Sequence, residues 1–225
     1  MASLLDNITW HTLAGPHARF AAGEGAVRRY ARGFSPIVGF EDPRSPDLAA
    51  LARWCGPGEH FYCENWAGAA PEGWRIEVES TMVKMVWGEA KAPADDAREA
   101  VRLGPEHHAQ AQELAALTRP GPFGPRTPEL GEYFGIFDGT RLVAMAGERM
   151  QAGRLREISG VCTHPDYQGR GFARRLVAKL VHRQVRRGEA PFLHVMSDNA
   201  LARGLYERMG FAEHREVVVR VISPA

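Results

Sequence analysis

The residues that offer chemistry are concentrated in the last third of this chain. The clearest group is contiguous: Gln168-Gly-Arg-Gly-Phe-Ala173 stands where an apolar run ends and an apolar stripe of helical period begins. The first amides of a helix have no partner inside it, and the macrodipole adds partial positive charge there. Gly169 and Gly171 remove side chains and Ala173 adds little bulk, so a phosphate group can approach the backbone. The segment is a candidate anion site, although a tight turn opening a helix accounts for the same residues. Two known phosphate loops are excluded. A dinucleotide fingerprint needs Gly or Ala where Arg174 stands, followed by further β-α-β units. A Walker loop needs Gly-x-x-x-x-Gly-Lys followed by Ser or Thr, which the chain lacks.

Such residues need elements to hold them. Tyr133 to Phe137, Leu142 to Arg149 and Leu155 to Thr163 read as three successive strands, turned by Asp138-Gly139 and by Gln151-Ala-Gly153. A helix follows from about Gly169 to Arg187, with Ala173, Leu176, Val177, Leu180 and Val181 on one side. Phe192 to Met196 is a short strand, Asn199 to Met209 a short helix ended by Gly210, and Phe211 with Glu216 to Ile222 a last strand. This order, β-β-β-α-β-α-β, predicts a mixed sheet with helices on its faces.

Upstream the pattern is sparser. Ile8 to Phe20 reads as a short helix interrupted by Gly15-Pro16, and Leu48 to Trp54 as a helix capped from Ser45-Pro46-Asp47. His60 to Glu64 and Trp74 to Trp87 read as strands, Pro105 to Leu117 as a helix, and the Pro- and Gly-rich run 121–128 as a loop. The polar stretch Lys91 to Asp96 is the expected boundary between an N-terminal α/β region, 1–94, and a second domain, 95–225. The aromatics of the first region either pack it against the second or line a pocket.

The stretch Val161-Cys-Thr-His-Pro-Asp-Tyr-Gln-Gly-Arg-Gly-Phe-Ala173 resembles the acetyl-CoA signature of the GCN5-related N-acetyltransferases (GNAT), with its Pro one residue later than in many members. Asn199-x-x-Ala202-x-x-Leu205-Tyr206-x-x-x-Gly210-Phe211 resembles the second motif of that family at its usual distance. The segment Trp10 to Phe20 is similar to the N-terminal extension of the FR47-like branch. The resemblance implies an α/β (α+β) fold: a mixed, mostly antiparallel twisted sheet flanked by helices, with an N-terminal α/β extension. It implies acetyl transfer from acetyl-CoA, or another short acyl-CoA, to a primary amine of a small molecule or amino acid. The alternatives are a silent acyl-CoA-binding module and a protein-acetylating enzyme.

Roles follow residue by residue from the resemblance. Backbone amides of Gln168, Gly169, Arg170, Gly171, Phe172 and Ala173 would hold the pyrophosphate, with Arg170 and Arg174 nearby. Val161, Cys162 and Thr163 would pair their backbone with the pantetheine arm like an added strand, with Asn199 and Ala202 opposite. Tyr206 would protonate the departing thiolate, since a phenol keeps its proton near neutrality; a core tyrosine is the plainer account. Glu157 lies eleven residues before Gln168, the offset of the catalytic glutamate in the histone-acetylating branch. Strict alternation puts Glu157, Ser159, Val161 and Thr163 on one face, where partial desolvation would raise the carboxyl pKa as a base needs. An ion pair with Arg156 or Arg149 is the alternative, and Glu148 is the reserve base.

Composition narrows the rest. A formal charge of +1 gives no overall pull toward nucleic acid or acidic membranes, and the basic face of the 169–187 helix reads as solvated. No apolar run approaches the roughly 18 residues that span a bilayer, and the first residues do not read as a signal peptide. Cys55, Cys63 and Cys162 form no Cys-x-x-Cys pair, and Cys55, His60 and Cys63 fall short of a four-ligand zinc site. The expectation is a cytoplasmic, metal-free monomer or homodimer with no nucleic-acid or membrane partner.

Overall fold

A computed structural model describes residues 2–225. In chain order its helices and strands are α1 (Ala2–Asp6), α2 (Ile8–Leu13), β1 (Ala21–Ala22), β2 (Val27–Tyr30), β3 (Val38–Phe40), α3 (Leu48–Ala52), β4 (Phe61–Glu64), β5 (Trp74–Trp87) and β6 (Val101–Arg102). Then follow α4 (His108–Thr118), β7 (Tyr133–Asp138), β8 (Arg141–Ala152), β9 (Leu155–Thr163), α5 (Phe172–Arg186), β10 (Ala190–Met196), α6 (Ala200–Met209) and β11 (Phe211–Pro224). Local chemistry explains several ends. The Asp47 side chain accepts the Ala50 N–H at 2.8 Å and so caps α3. Gly210, at φ +107°, closes α6 in the left-handed region. Gly15-Pro16 stops α2 and leaves only a 3-10 turn at Ala18–Phe20.

The principal sheet has eight strands in the order β4-β11-β5-β10-β9-β8-β7-β6. Every neighbouring pair is antiparallel except β10 and β9, which are joined by the α5 crossover that a parallel pair requires. A separate sheet of β1-β2-β3 lies in the N-terminal segment. The 94/95 boundary does not separate two sheets. Strand β5, from before it, lies between β10 and β11, from after it.

The apolar stripe of α5 (Leu176, Val177, Leu180, Val181) is buried against Ile136, Val143, Ile158, Leu193 and Val195 on one face. Each such side chain contributes about 1.5–3 kcal/mol on burial. The other face is covered twice. Helix α4 packs Ala111 and Leu114 on Tyr133, Met145 and Cys162. Further along, Leu5, Ile8 and Leu13 of the N-terminal helices pack on Met150, Leu155 and Phe192. Among the described residues no helix is long and apolar enough to cross a membrane.

Candidate active site

The only parallel pair of the principal sheet comes apart where the site forms. Strands β9 and β10 are paired from Leu155↔Ala190 to Ile158↔Leu193 and no further. Beyond that point β10 stays with β5, out to Met196↔Met82, and β9 stays with β8, out to Thr163↔Ala144. The facing edges of Ser159–Thr163 and of His194–Met196 are therefore open. Backbone groups on an open edge need partners, and an extended guest can supply them.

A bulge accompanies the split. Between the pairs Gly147↔Ser159 and Met145↔Cys162 the chain advances two residues on β8 but three on β9. Gly160 absorbs the extra residue at φ +62°, close enough to Tyr133 that a Cβ would lie 3.1 Å from its ring. The bulge overturns strict alternation. Ile158 and Val161 both pack toward α5, while Cys162 packs toward α4. Glu157 and Val161 therefore face opposite sides of the sheet, not one side.

Past β9 the chain makes a 3-10 turn, Pro165–Tyr167, and reaches α5 through Gly169 (φ +76°) and Gly171 (φ +77°). The first bond of the helix runs from Arg175 N–H to Gly171 C=O at 3.1 Å. That leaves the amides of Phe172, Ala173 and Arg174 outside the ladder, as donors for an anion. A Cβ on Gly169 or Gly171 would meet nothing within 4 Å, so these glycines serve the left-handed backbone rather than a tight contact. Gln168 and Arg170 are exposed, with the Arg170 guanidinium 4.7 Å from the Tyr167 ring centroid. Arg174 pairs with Asp96 at 3.3 Å. Further along α5, Lys179 pairs with Asp95, Arg183 with Glu132, and Arg187 with Glu132, Glu148 and Glu189. Its basic face is largely neutralised by acidic partners.

The split opens into a cavity of about 430 Å³. On the α5 side it is lined by Tyr206, Asn199, Ala202 and Val161. Tyr206 is buried against Phe211, and burial pushes its phenol up to about 12. Asn199 caps α6 by accepting the Ala202 N–H at 3.1 Å, which leaves its amide NH₂ uncommitted to the cap. On the other side stand Glu157 and His194, and beyond them Thr9, Ile37, Tyr62 and Glu64 from the N-terminal segment.

Glu157 is 1% exposed and fully engaged. Arg149 donates to both its oxygens, at 3.0 and 2.7 Å; the Met150 N–H donates at 3.1 Å, and His194 Nδ1 lies 2.8 Å away. Burial alone would raise this carboxyl, but Arg149 and His194 outweigh it and hold it well below the usual carboxylate range. The raised pKa expected of a base is replaced by its opposite. Glu148 is buried too, bound by Arg187 and by Gln184 at 3.0 Å, and it does not line the cavity.

Comparison with known proteins places this architecture. The family model described as FR47-like protein matches residues 133–221. A crystal structure assigned to the GNAT family of acetyltransferases, from Novosphingobium aromaticivorans DSM 12444, is 32% identical, with coverage of 98% of both chains and a TM-score of 0.88. This chain belongs to the GNAT family. A GCN5-related N-acetyltransferase from Kribbella flavida shares the fold at 18% identity and a TM-score of 0.61, over 99% of this chain and 95% of its own. An acetyltransferase of Yersinia pseudotuberculosis serotype I (strain IP32953) is 42% identical over 50 residues, 21% of this chain. The match spans about a third of such curated relatives, 35% of their length.

Within this GNAT chain the structure brings Val161, Asn199, Ala202, Tyr206 and Glu157 to one cavity. The exposed turn Gln168–Gly171 and the start of α5 lie past the outer end of β9. Cys162 is turned away toward α4, where burial pushes its thiol up to about 11. His194 is the residue that sequence reasoning passes over. Its signal is a lone imidazole between Leu193 and Val195 in an otherwise apolar strand. Cys63 is buried on β4 and the Cys55 thiol donates to the Leu51 carbonyl at 3.3 Å. Among the described residues no group of three or more metal-ligating side chains assembles.

Proposed function

We propose that this chain transfers an acetyl group from acetyl-CoA to a primary amine of a small molecule or amino acid, with both bound at once. The observation that carries the reading is the open edge of β9, which leads from the free amides of α5 back to a cavity holding Tyr206. When bound, acetyl-CoA supplies an activated thioester carbonyl. The amides at Gly171–Arg174 bind its pyrophosphate, and the backbone of Ser159–Thr163 orients its arm. Asn199 offers its free NH₂ to that arm, and the Tyr206 hydroxyl donates to the departing sulfur.

The acceptor enters from the opposite side, which residues of the N-terminal segment help to build. A cavity of about 430 Å³ suits a small acceptor, near the low end of the roughly 300–1,000 Å³ seen for small-molecule sites. Three free thiols, two of them buried, suit a reducing cytoplasm.

Calorimetry with acetyl-CoA tests the reading. The native chain binds; Gly171→Val, which forces a β-branched residue to φ +77°, binds at least about tenfold more weakly. A native chain that does not bind acetyl-CoA ends the proposal.

A further inference from the structure

With Glu157 locked in an ion pair, the proton of an ammonium acceptor needs another destination. The neighbouring strand provides one. His194 is the first residue of β10 beyond its last pair with β9, so it stands at the apex of the split. Phe192 packs against the N-terminal helices while Leu193 and Val195 pack toward α5. Alternation therefore puts His194 on the N-terminal face. Tyr206 packs with the α5 side, yet both residues line the one cavity. The two groups flank the split from opposite faces, as an acid and a base must when leaving group and nucleophile are on opposite sides of a carbonyl.

The ring's chemistry follows from its partner. An ionised carboxylate only accepts, so His194 Nδ1, 2.8 Å from Glu157 Oε1, carries the hydrogen. In the neutral ring Nε2 then holds a lone pair. The side chain is 9% exposed, and among the described residues Nε2 has no hydrogen-bond partner. Buried nitrogens are nearly always satisfied. The Glu157 contact fixes the ring, and Nε2 is the buried, unpartnered nitrogen of a residue that lines the cavity. Other charged groups near this face are themselves engaged. Arg149 is held by Glu157, and Lys84, the cross-strand partner of His194, is 2.8 Å from Glu64. Arg220 pairs with Glu79, and exposed Arg119 stands at the cavity's edge. Tyr30 and Tyr133 are kept protonated by burial.

We infer that His194, oriented by Glu157, is the base that takes a proton from the acceptor ammonium. This rests on the acetyl-transfer reading above. The ammonium gives one proton to Nε2, which passes it to solvent. The freed lone pair forms the C–N bond, and the C–S bond breaks with its electron pair on sulfur. Nitrogen loses its second proton by the same route through Nε2, and the thiolate, held by a hydrogen bond from the Tyr206 hydroxyl, takes one proton back from solvent, so one proton is released overall. Glu157 acts through the ring and is a positioning residue.

Two measurements test it. Long-range ¹H–¹⁵N spectra of histidine-labelled protein read the ring directly, with His194→Gln assigning its signals. The expected neutral form is protonated at Nδ1 and bare at Nε2; the reverse tautomer overturns the inference. Turnover is then followed by free-CoA release with a panel of amino acids, polyamines and aminoglycosides. His194→Gln is expected to lower kcat/KM about 10²–10³-fold, leaving the calorimetric Kd for acetyl-CoA within about twofold. Added imidazole partly restores His194→Ala. Undiminished turnover in His194→Gln overturns the assignment while acetyl-CoA still binds. Loss of acetyl-CoA binding by the native chain overturns the function itself, so the two failures are distinguishable.

Discussion

Tyr206 shows how burial sets what a residue can do. Its phenol is pushed up to about 12 by desolvation alone, so it holds its proton at any pH where an amine acceptor is useful. A thiol titrates near ~8.5, so full transfer from this phenol to a free thiolate runs uphill. The hydroxyl therefore acts chiefly as a hydrogen-bond donor to the charge developing on sulfur, and its removal costs what the loss of one such donor costs. Tyr206→Phe is expected to lower kcat by about 10²-fold and to change the Kd for acetyl-CoA by less than about twofold. Single-turnover rates beside calorimetry check this, and an unchanged rate removes Tyr206 from the chemistry. Glu157 is the counter-case. The sequence places a carboxylate at the right offset on the right strand, but whether it is a base depends on Arg149 and His194, which reach it from two other strands.

Elements were legible in proportion to their length and period. Strand β9 keeps the bounds its sequence suggests, α5 is marked by its apolar stripe, and α6 by Asn199 and Gly210 at its ends. The short strands β1, β2 and β3, of two to four residues, show too little of a period and went unread, whereas β4, also four residues, was read from His60 to Glu64. The bulge was present in the sequence as a glycine inside a strand, Gly160, but only the register with β8 shows that it reverses the faces beyond it. The N-terminal helices carry their own prediction. His17, just after α2, is buried with Nδ1 2.9 Å from the Tyr30 hydroxyl. Burial, reinforced by Arg156 and Arg19, lowers its pKa from 6.5 to about 4. The unfolded chain then binds the proton more readily than the folded one, so stability present above about pH 6.5 is lost as pH falls toward 4. Between pH 7 and pH 5 this group contributes a loss of about 2 kcal/mol. Urea unfolding at the two pH values, compared with His17→Gln, isolates it; an equal pH response in the variant removes His17 as the cause.

At the scale of the molecule, the site is a product of interleaving. The motifs that reveal the family lie after residue 133, and the family model covers 133–221. Yet the sheet that holds those motifs has β5 in its middle and β4 at one edge, both contributed from before residue 94. Strand β5 pairs with β10 on one side and with nearly the whole of β11 on the other. A fragment of residues 95–225 would leave β10 with a free edge where Lys84 and Met85 now pair, and β11 with no neighbour at all. It would also strip the N-terminal helices from Met150, Leu155 and Phe192, exposing an apolar face. Such a fragment is expected to show no cooperative thermal transition by circular dichroism and to aggregate, whereas the whole chain melts in one step. A soluble fragment with its own sharp transition would show that the donor half folds independently, and that the N-terminal segment is added to a finished domain. If the two segments fold as one, a substitution in β5 that loosens the sheet reaches donor and acceptor sides together, because His194 is held between β5 on one side and Glu157 of β9 on the other.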